Sequence, residues 1–113
     1  MAKYETTLRA NLETLVAAIE DGIVSGSVSA KLEDGSDFTL GDCRCAVRVF
    51  ERYSAMGGNR VSLSVTVLAR GSDICLSAIT SGGSTGMFFK LNTIGEQTFL
   101  KALEQIMEQF QAR

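Results

Sequence analysis

The sequence predicts one α+β domain in which an antiparallel meander of four to five strands carries an N-terminal and a C-terminal helix on one face. Apolar residues recur at the 3.6-residue period of a helix near both ends of the chain, and at the two-residue period of a strand in four segments between them. With 113 residues, of which 45% are hydrophobic, the chain is long enough to bury one core and gives no sign of a second domain.

The first helix is predicted within the segment NLETLVAAIEDGI. Asn11 is suited to cap its start and Gly22 to end it. Ahead of it, the segment KYETTL alternates in the manner of a strand and predicts a fifth strand. The apolar residues of the helix have the spacing of a single helix face: Leu12, Leu15, Val16, Ile19 and Ile23.

A second helix is predicted at the other end of the chain. Thr93 and Glu96 match the capping-box pattern, which predicts that this helix begins at Thr93. Its apolar stripe consists of Phe99, Leu103, Ile106, Met107 and Phe110.

Four strands are predicted between the helices because apolar residues occupy every second position. Each apolar row is predicted to face the core, which leaves the residues between its members on an open face. The rows are Val28, Ala30 and Leu32; Cys43, Cys45, Val47 and Val49; Val61, Leu63, Val65 and Val67; and Ile74, Leu76 and Ala78.

The rows also predict the turns, because a one-residue change of register would move a whole apolar row into solvent. The second and third rows are both odd-numbered, which favours an odd loop at Met56-Gly57-Gly58. The third and fourth rows differ in parity, which favours a two-residue turn at Arg70-Gly71 with Val67 opposite Ile74.

The composition excludes several functional classes. Without histidine the chain cannot form a Ser-His-Asp or Cys-His catalytic arrangement or a zinc site with histidine ligands. The net charge of -2 gives no overall attraction to nucleic acid, so none is expected as a partner. We assign no catalytic residue, no metal ligand and no cofactor from the sequence.

The cysteine content and the absence of long apolar runs predict a cytoplasmic protein with no membrane partner. The chain has three cysteines, an odd number, and no apolar signal segment near its start. Cys43 and Cys45 fall in a row predicted to be buried and are interpreted as small core residues. Cys75 falls on the other side of its strand and is interpreted as the more exposed thiol, whose reactivity stays open.

Five segments, in order and at compatible spacing, resemble a family of small bacterial proteins catalogued as a domain of unknown function. They are LEDGSDF, RCAVRVFERYS, GGNRVSLSVTV, LSAITSGGSTGMFFKLNT and GEQTFL. The resemblance spans roughly residues 3 to 110. It implies the fold of that family and no catalytic residue.

The predicted order of elements is similar to a single unit of the TATA-binding-protein-like fold and to the reduced helix-grip arrangement of START and polyketide-cyclase-like proteins. The helix-grip resemblance implies a ligand cavity between the sheet and the C-terminal helix. The other resemblance implies minor-groove DNA binding through Phe residues on an open sheet face. Only Phe50 falls on the predicted open face here, and the chain is acidic.

Arg44, Arg48 and Arg52 recur at every fourth position of one predicted strand, so they are predicted to share the open face. Five arginines and a single acid lie between positions 43 and 71. Arginine suits bidentate contact with carboxylate or phosphate. Hydroxyl side chains are predicted on the same face: Ser62, Ser64, Thr66 and Ser77.

Three interpretations of this arginine-bearing face stay open. Its arginines pair with acids from turns or from another subunit, or they bind an anionic ligand or partner. Alternatively, the face is buried in a homodimer around Phe50, Ala46 and Ile79.

The segment TSGGSTGMFFKLNT, residues 80–93, has the composition of a phosphate-binding loop without its spacing. It matches neither G-x-G-x-x-G nor G-x-x-x-x-G-K-[ST], and it is interpreted as a bend. A weaker anion site stays open at the predicted start of the second helix. Its residues would be Ser81, Gly82, Gly83, Lys90 and Thr93.

Together these observations favour a non-enzymatic binding or interaction module that forms a homodimer. Its ligand would be a small amphipathic or anionic molecule, or another protein. The alternative is a small cyclase- or isomerase-like enzyme with a helix-grip cavity and Glu51 or Asp73 as the base. A solid interface between helices and sheet would count against both the enzyme and a buried ligand.

Overall fold

The computed structural model describes residues 1–53, 60–82 and 89–111, with the backbone alone for residues 89–94. Its elements in chain order are β1 (Ala2–Arg9), α1 (Leu12–Ser25), β2 (Lys31–Leu40), β3 (Cys43–Tyr53), β4 (Arg60–Arg70), β5 (Asp73–Gly82) and α2 (Phe89–Gln111). They confirm the predicted α+β fold, including the strand ahead of the first helix. Neither α1 nor α2, as far as it is described, is long and apolar enough to cross a membrane.

The five strands form one antiparallel sheet in the order β1-β5-β4-β3-β2. Strands β2 to β5 make a meander, and β1 adds to its far side by pairing with β5. The central strand is therefore β4, and the edges are β1 and β2. Both helices pack on the same side of the sheet, as predicted.

Helix α1 starts where the sequence predicts. The Asn11 side-chain oxygen accepts a hydrogen bond from the Thr14 backbone N–H at 2.9 Å. All five residues of the predicted apolar stripe are buried. Gly22 does not end the helix, which continues to Ser25 and is capped by Gly26. A Cβ atom at position 22 would lie 2.6 Å from Cδ1 of Ile106, so the missing side chain permits close contact between α1 and α2.

Helix α2 extends further toward its N-terminus than predicted. It includes residues from Phe89 onward, so Thr93 lies inside the helix and does not cap its start. Glu96, the other member of the predicted capping box, is buried and accepts a hydrogen bond from the α-ammonium group of Met1 at 2.9 Å. The predicted stripe of α2 lies in or against the core: Phe99, Leu103, Ile106, Met107 and Phe110.

Strand β2 lies later in the chain than predicted. The apolar row Val28, Ala30 and Leu32 placed it over residues 27–32, whereas the strand is Lys31–Leu40. Every residue of β2 is exposed, so its sequence has no buried row to reveal it. A register shift between Leu32 and Asp34 marks a bulge, a common feature of edge strands.

The two faces of β3 are exchanged relative to the prediction. Ala46 and Phe50 are buried beneath the helices, and the predicted core row of Cys43, Cys45, Val47 and Val49 lies on the other side of the sheet. Burial of the whole Phe50 ring outweighs the four smaller side chains, each of which is still half-buried between neighbouring strands.

The register between β3 and β4 is consequently opposite in parity to the prediction. Tyr53 lies opposite Arg60, so paired residue numbers sum to an odd number. The loop predicted at Met56-Gly57-Gly58 itself lies outside the described residues.

The faces of β4 and β5 are predicted correctly, and the turn between them is displaced by one residue. The turn has two residues, Gly71-Ser72, and Val67 lies opposite Leu76 rather than Ile74. Gly71 has φ 61°, a conformation that favours glycine and is required at the first position of a type II′ hairpin turn. Glycine thus defines where the turn starts.

The core fills the space between the helices and β3, β4 and β5. Leu15 of α1, Leu63 of β4 and Leu103 and Met107 of α2 are all 0% exposed. Apolar side chains therefore fill the described part of the layer beneath α2, whereas a groove of about 390 Å³ opens between α1 and strands β2 and β3.

We expect Gly22→Val to lower the free energy of unfolding by about 2 kcal/mol, because the added methyl groups would overlap Ile106. Intrinsic helix propensity alone predicts a small gain for this change. The control is Ala17→Val on the exposed side of α1, which should cost less than about 0.5 kcal/mol. Urea denaturation measures both variants, and equal losses would contradict close contact at Gly22.

Candidate functional site

The side of the sheet away from the helices, here called the open face, includes four cross-strand rows that span all five strands. In the strand order β1, β5, β4, β3, β2 they are Lys3, Ile79, Ser64, Val49 and Asp34; Glu5, Ser77, Thr66, Val47 and Ser36; Thr7, Cys75, Leu68, Cys45 and Phe38; and Arg9, Asp73, Arg70, Cys43 and Leu40. No described element covers these residues. The predicted hydroxyl row of β4 and β5 therefore lies on the open face, as expected.

The centre of the open face is uncharged, and its charged residues lie at the rim. In the first three rows, the three central strands contribute no charged side chain. Charges occur on the edge strands, in the fourth row and, at the opposite end of the face, at Glu51 and Arg60. Several apolar side chains of this face are exposed: Phe38 by 56%, Leu40 by 82%, Leu68 by 47% and Ile79 by 41%. An uncharged centre inside a charged rim is typical of a protein interface.

All three cysteines lie on the open face. Cys75 is exposed, as predicted, but the prediction that Cys43 and Cys45 lie in the core is wrong because β3 presents its other side to the helices. Cys45 and Cys75 lie on either side of Leu68 in one row. Their Cα atoms are two strand spacings apart, about 10 Å, which is too far for a disulfide within one chain.

Two shallow grooves cross the open face. One has a volume of about 600 Å³ and the other about 530 Å³. They share the residues Thr7, Leu68 and Cys75, and the second extends to Arg70 and Asp73. Both grooves lie over β1, β5 and β4, and the second also reaches Cys43 of β3.

The predicted array of Arg44, Arg48 and Arg52 lies on the side that carries the helices rather than on the open face. Arg44 donates a hydrogen bond to the Glu13 carboxylate of α1, and this contact lowers the pKa of Glu13. Arg44 is thus paired within the chain, as one of the three sequence-based interpretations proposed. The paired acid comes from a helix, not from a turn or another subunit.

Arg48 is the most fully paired of the three arginines. Its Nε donates to Glu20 of α1 at 2.7 Å, and its Nη1 lies 3.0 Å from an oxygen of Asp37 of β2. Hydrogen bonding to Asp37, followed by that to Glu20, raises the pKa of Arg48 despite partial burial. The Arg48 side chain is 15% exposed, whereas that of Asp37 is 68% exposed, so Arg48 joins the edge strand β2 to α1 through partly desolvated ion pairs.

Arg52 has no carboxylate partner among the described residues. Its guanidinium carbon lies 4.4 Å from the centre of the Phe99 ring, and its Nη2 donates to the Gly95 carbonyl oxygen at 3.3 Å. Burial beneath α2 lowers the pKa of Arg52. The three arginines therefore have the same spacing along β3 and different surroundings.

The remaining predicted anion-binding residues do not form one cluster. Ser81 lies on the open face, where its hydroxyl is 2.9 Å from that of Ser62. Gly82 lies on the helix side, in the same cross-strand row as Val61 and Arg52. Gly83 lies outside the described residues.

Lys90 and Thr93 are described through their backbone alone, and both lie inside α2. The anion site predicted at the start of the second helix depended on free backbone N–H groups near Thr93. Because α2 begins at Phe89, the N–H group of Thr93 is no longer among the free ones.

Residues 1–111 match the profile of a family of unknown function, DUF6054. The chain belongs to this family. Comparison with curated proteins and with solved structures gives no match. Family membership supports the resemblance noted from the sequence and brings no activity with it, so a functional proposal must rest on geometry.

The sequence did not predict that the exposed apolar residues of the open face lie together. Leu68 was placed correctly between the core residues of β4, but Phe38 and Leu40 belong to a strand that the prediction placed elsewhere. The available signal was the alternation of Phe38 and Leu40 with polar residues directly before the Gly41-Asp42 turn.

We expect Arg48→Met to lower the free energy of unfolding by about 1–2 kcal/mol, because Glu20 and Asp37 would lose their shared partner in a partly desolvated position. The matched control is Arg44→Met, whose ion pair with Glu13 is exposed and should contribute much less to stability than that of Arg48. Denaturant titration distinguishes the two. Equal effects would contradict a specific role for Arg48.

Proposed function

We propose that this chain is a non-enzymatic interaction module whose open face binds a protein surface, and that the occupant of this face is a second copy of the chain. The observation that carries the proposal is the uncharged, partly apolar centre of a sheet face that no described element covers. Soluble monomers rarely leave such a continuous patch uncovered.

The size of the open face fits one interface. Five strands spaced about 4.8 Å apart and about seven residues long cover roughly 600 Å² in flat projection. Side-chain relief increases this area toward the approximately 800 Å² that each partner buries in a standard protein interface. A partner must therefore cover most of the face, which a second sheet of the same size does.

The charges of the open face permit self-association. The four rows that span all five strands contain three cations and three anions: Lys3, Arg9 and Arg70, and Glu5, Asp34 and Asp73. Two copies therefore meet without net repulsion, although the whole chain has a net charge of -2.

The strand order suggests where a two-fold axis would run. With β4 central, an axis parallel to β4 places β1 over the partner's β2 and β5 over the partner's β3. Leu68 would then lie opposite the partner's Leu68, and Cys75 opposite the partner's Cys45. Lys3 would lie opposite the partner's Asp34, which brings unlike charges together at the rim. Arg70, at one end of β4, would lie opposite the partner's Arg70, with Asp73 next to each in the same row.

The enzyme alternative has less support from the geometry. Glu51 and Asp73, the suggested bases, lie on the open face and form ion pairs with Arg60 and Arg9. Neither points into the layer between helices and sheet. Apolar side chains fill the described part of that layer beneath α2. A groove of about 390 Å³ lies between α1 and strands β2 and β3, but neither Glu51 nor Asp73 lines it.

We expect the wild-type protein to be a dimer at micromolar concentration and Leu68→Lys to be a monomer, because the substitution would place two like charges face to face at the axis. Native mass spectrometry and light scattering measure the change. Val28→Lys, a change at a fully exposed residue outside the sheet, is the control and should remain dimeric. A monomeric wild type, or a dimeric Leu68→Lys, would refute the proposed interface.

The same position tests the orientation of the axis. Leu68→Lys and Leu68→Glu should each be monomeric alone and should form a heterodimer when mixed, because opposite charges would then meet across the axis. Circular dichroism of each variant establishes that the fold is intact. If both variants are folded monomers that fail to associate when mixed, the axis does not lie along β4.

Cysteine crosslinking provides a distance test of the same arrangement. Cys43→Ser/Cys75→Ser retains Cys45 alone, and Cys43→Ser/Cys45→Ser retains Cys75 alone. Packed sheets lie about 10 Å apart, so a bismaleimide of about that length should link a mixture of the two variants as a covalent dimer. Each variant by itself should crosslink less. Equal crosslinking in all three samples would contradict the pairing of Cys45 with the partner's Cys75.

A further inference from the structure

Arg52 contacts α2, whereas the other arginines of β3 contact acidic residues of α1. Its guanidinium packs over the Phe99 ring and donates one hydrogen bond, to the Gly95 carbonyl oxygen. Of its five N–H donors, the remaining four have no described acceptor. Arg44 and Arg48, on the same side of the same strand, both contact carboxylates.

No aspartate or glutamate in the described part of the chain forms an ion pair with Arg52. All thirteen aspartates and glutamates lie in the described residues, and the ion pairs of the structure join none of them to Arg52. The segments outside the described residues, 54–59, 83–88 and 112–113, contain no aspartate or glutamate. Gly95 is 16 residues before Gln111 in α2, about 24 Å along the helix axis, so the end of α2 is distant from Arg52.

An arginine that is partly desolvated and lacks a counter-ion is unusual. Burial removes part of the water that solvates the guanidinium charge. Contacts with a carbonyl oxygen and an aromatic ring compensate for part of this lost solvation. Neither carries a full negative charge. A group with two oxygens that share a negative charge would satisfy the free edge of the guanidinium, since arginine binds carboxylate and phosphate through two parallel hydrogen bonds.

We propose that Arg52 anchors a binding site for a small oxyanion, the carboxylate or phosphate group of a small molecule, where β3, β4 and β5 meet α2. The Phe99 ring holds the guanidinium plane in place, and the Gly95 carbonyl oxygen fixes one of its edges. Gly82 continues the row of Arg52 and Val61 on this side of the sheet. The site lies on the helix side, so it does not depend on the interface proposed for the open face.

The test is a titration of the isotopically labelled protein with inorganic phosphate and, separately, with acetate, followed by NMR of backbone amides. Chloride at matched ionic strength serves as the reference. We expect the Gly82 and Gly95 amide signals to shift and saturate, with a dissociation constant of about 1–30 mM for at least one of the two anions. Saturation by phosphate alone or by acetate alone would define which oxyanion the site prefers.

Variants of Arg52 establish whether the anion binds there. Arg52→Met keeps an unbranched apolar side chain against Phe99 and should weaken anion binding at least about tenfold. Arg52→Lys retains the positive charge without the fork, so its binding should be intermediate. The matched control, Arg44→Met, should bind within about twofold of wild type.

Two results would overturn the site. One is the absence of saturation by either anion below about 100 mM in the wild-type protein. The other is undiminished binding by a folded Arg52→Met variant. A thermal unfolding series in phosphate gives a second measure, because specific binding raises Tm of the wild type more than Tm of Arg52→Met, whereas general salt effects raise both equally.

Discussion

The arrangement of this protein depends on the burial of Phe50. Its ring is 0% exposed beneath the helices, and this contact determines which side of β3 faces α1 and α2. Since side chains alternate along a strand, the same contact places Arg44, Arg48 and Arg52 against the helices and Cys43 and Cys45 on the open face. One aromatic side chain thereby decides the location of both the basic residues and the thiols.

The three arginines of β3 are evenly spaced along the strand, but each contacts a different part of the neighbouring helices. Glu13 and Glu20 are seven residues apart on α1, about 10 Å along the helix axis, and Arg44 and Arg48 are about 13 Å apart along the strand. The two helix acids can therefore reach the two strand arginines. At Arg52 the neighbouring element is α2, which offers an aromatic ring and a carbonyl oxygen in place of a carboxylate.

Much of the fold could be predicted from the sequence because its strongest patterns report burial directly. The apolar stripes of α1 and α2, the Asn11 cap and the core rows of β4 and β5 were all correct. β3 was assigned to the wrong face because its four smaller apolar residues alternate with Arg44, Ala46, Arg48 and Phe50. Periodicity counts apolar positions and takes no account of the larger area that one phenylalanine ring buries. β2 was misplaced because all its residues are exposed, and for such a strand pairing with β3 is the dominant constraint. The candidate surfaces depended on these two strands, so the sequence could not locate them.

The attachment of β2 has a consequence for the dynamics of the molecule. This edge strand buries none of its residues and is held by backbone pairing with β3 and by ion pairs from Arg48 and Arg60 to Asp37 and Glu33. Polar links of this kind weaken with ionic strength and contribute little against local opening, whereas the core strands open only with global unfolding. Phe38 and Leu40 lie in this strand, so one edge of the open face belongs to the part of the sheet that opens most easily. The shape of that edge will therefore vary with salt concentration while the core stays intact.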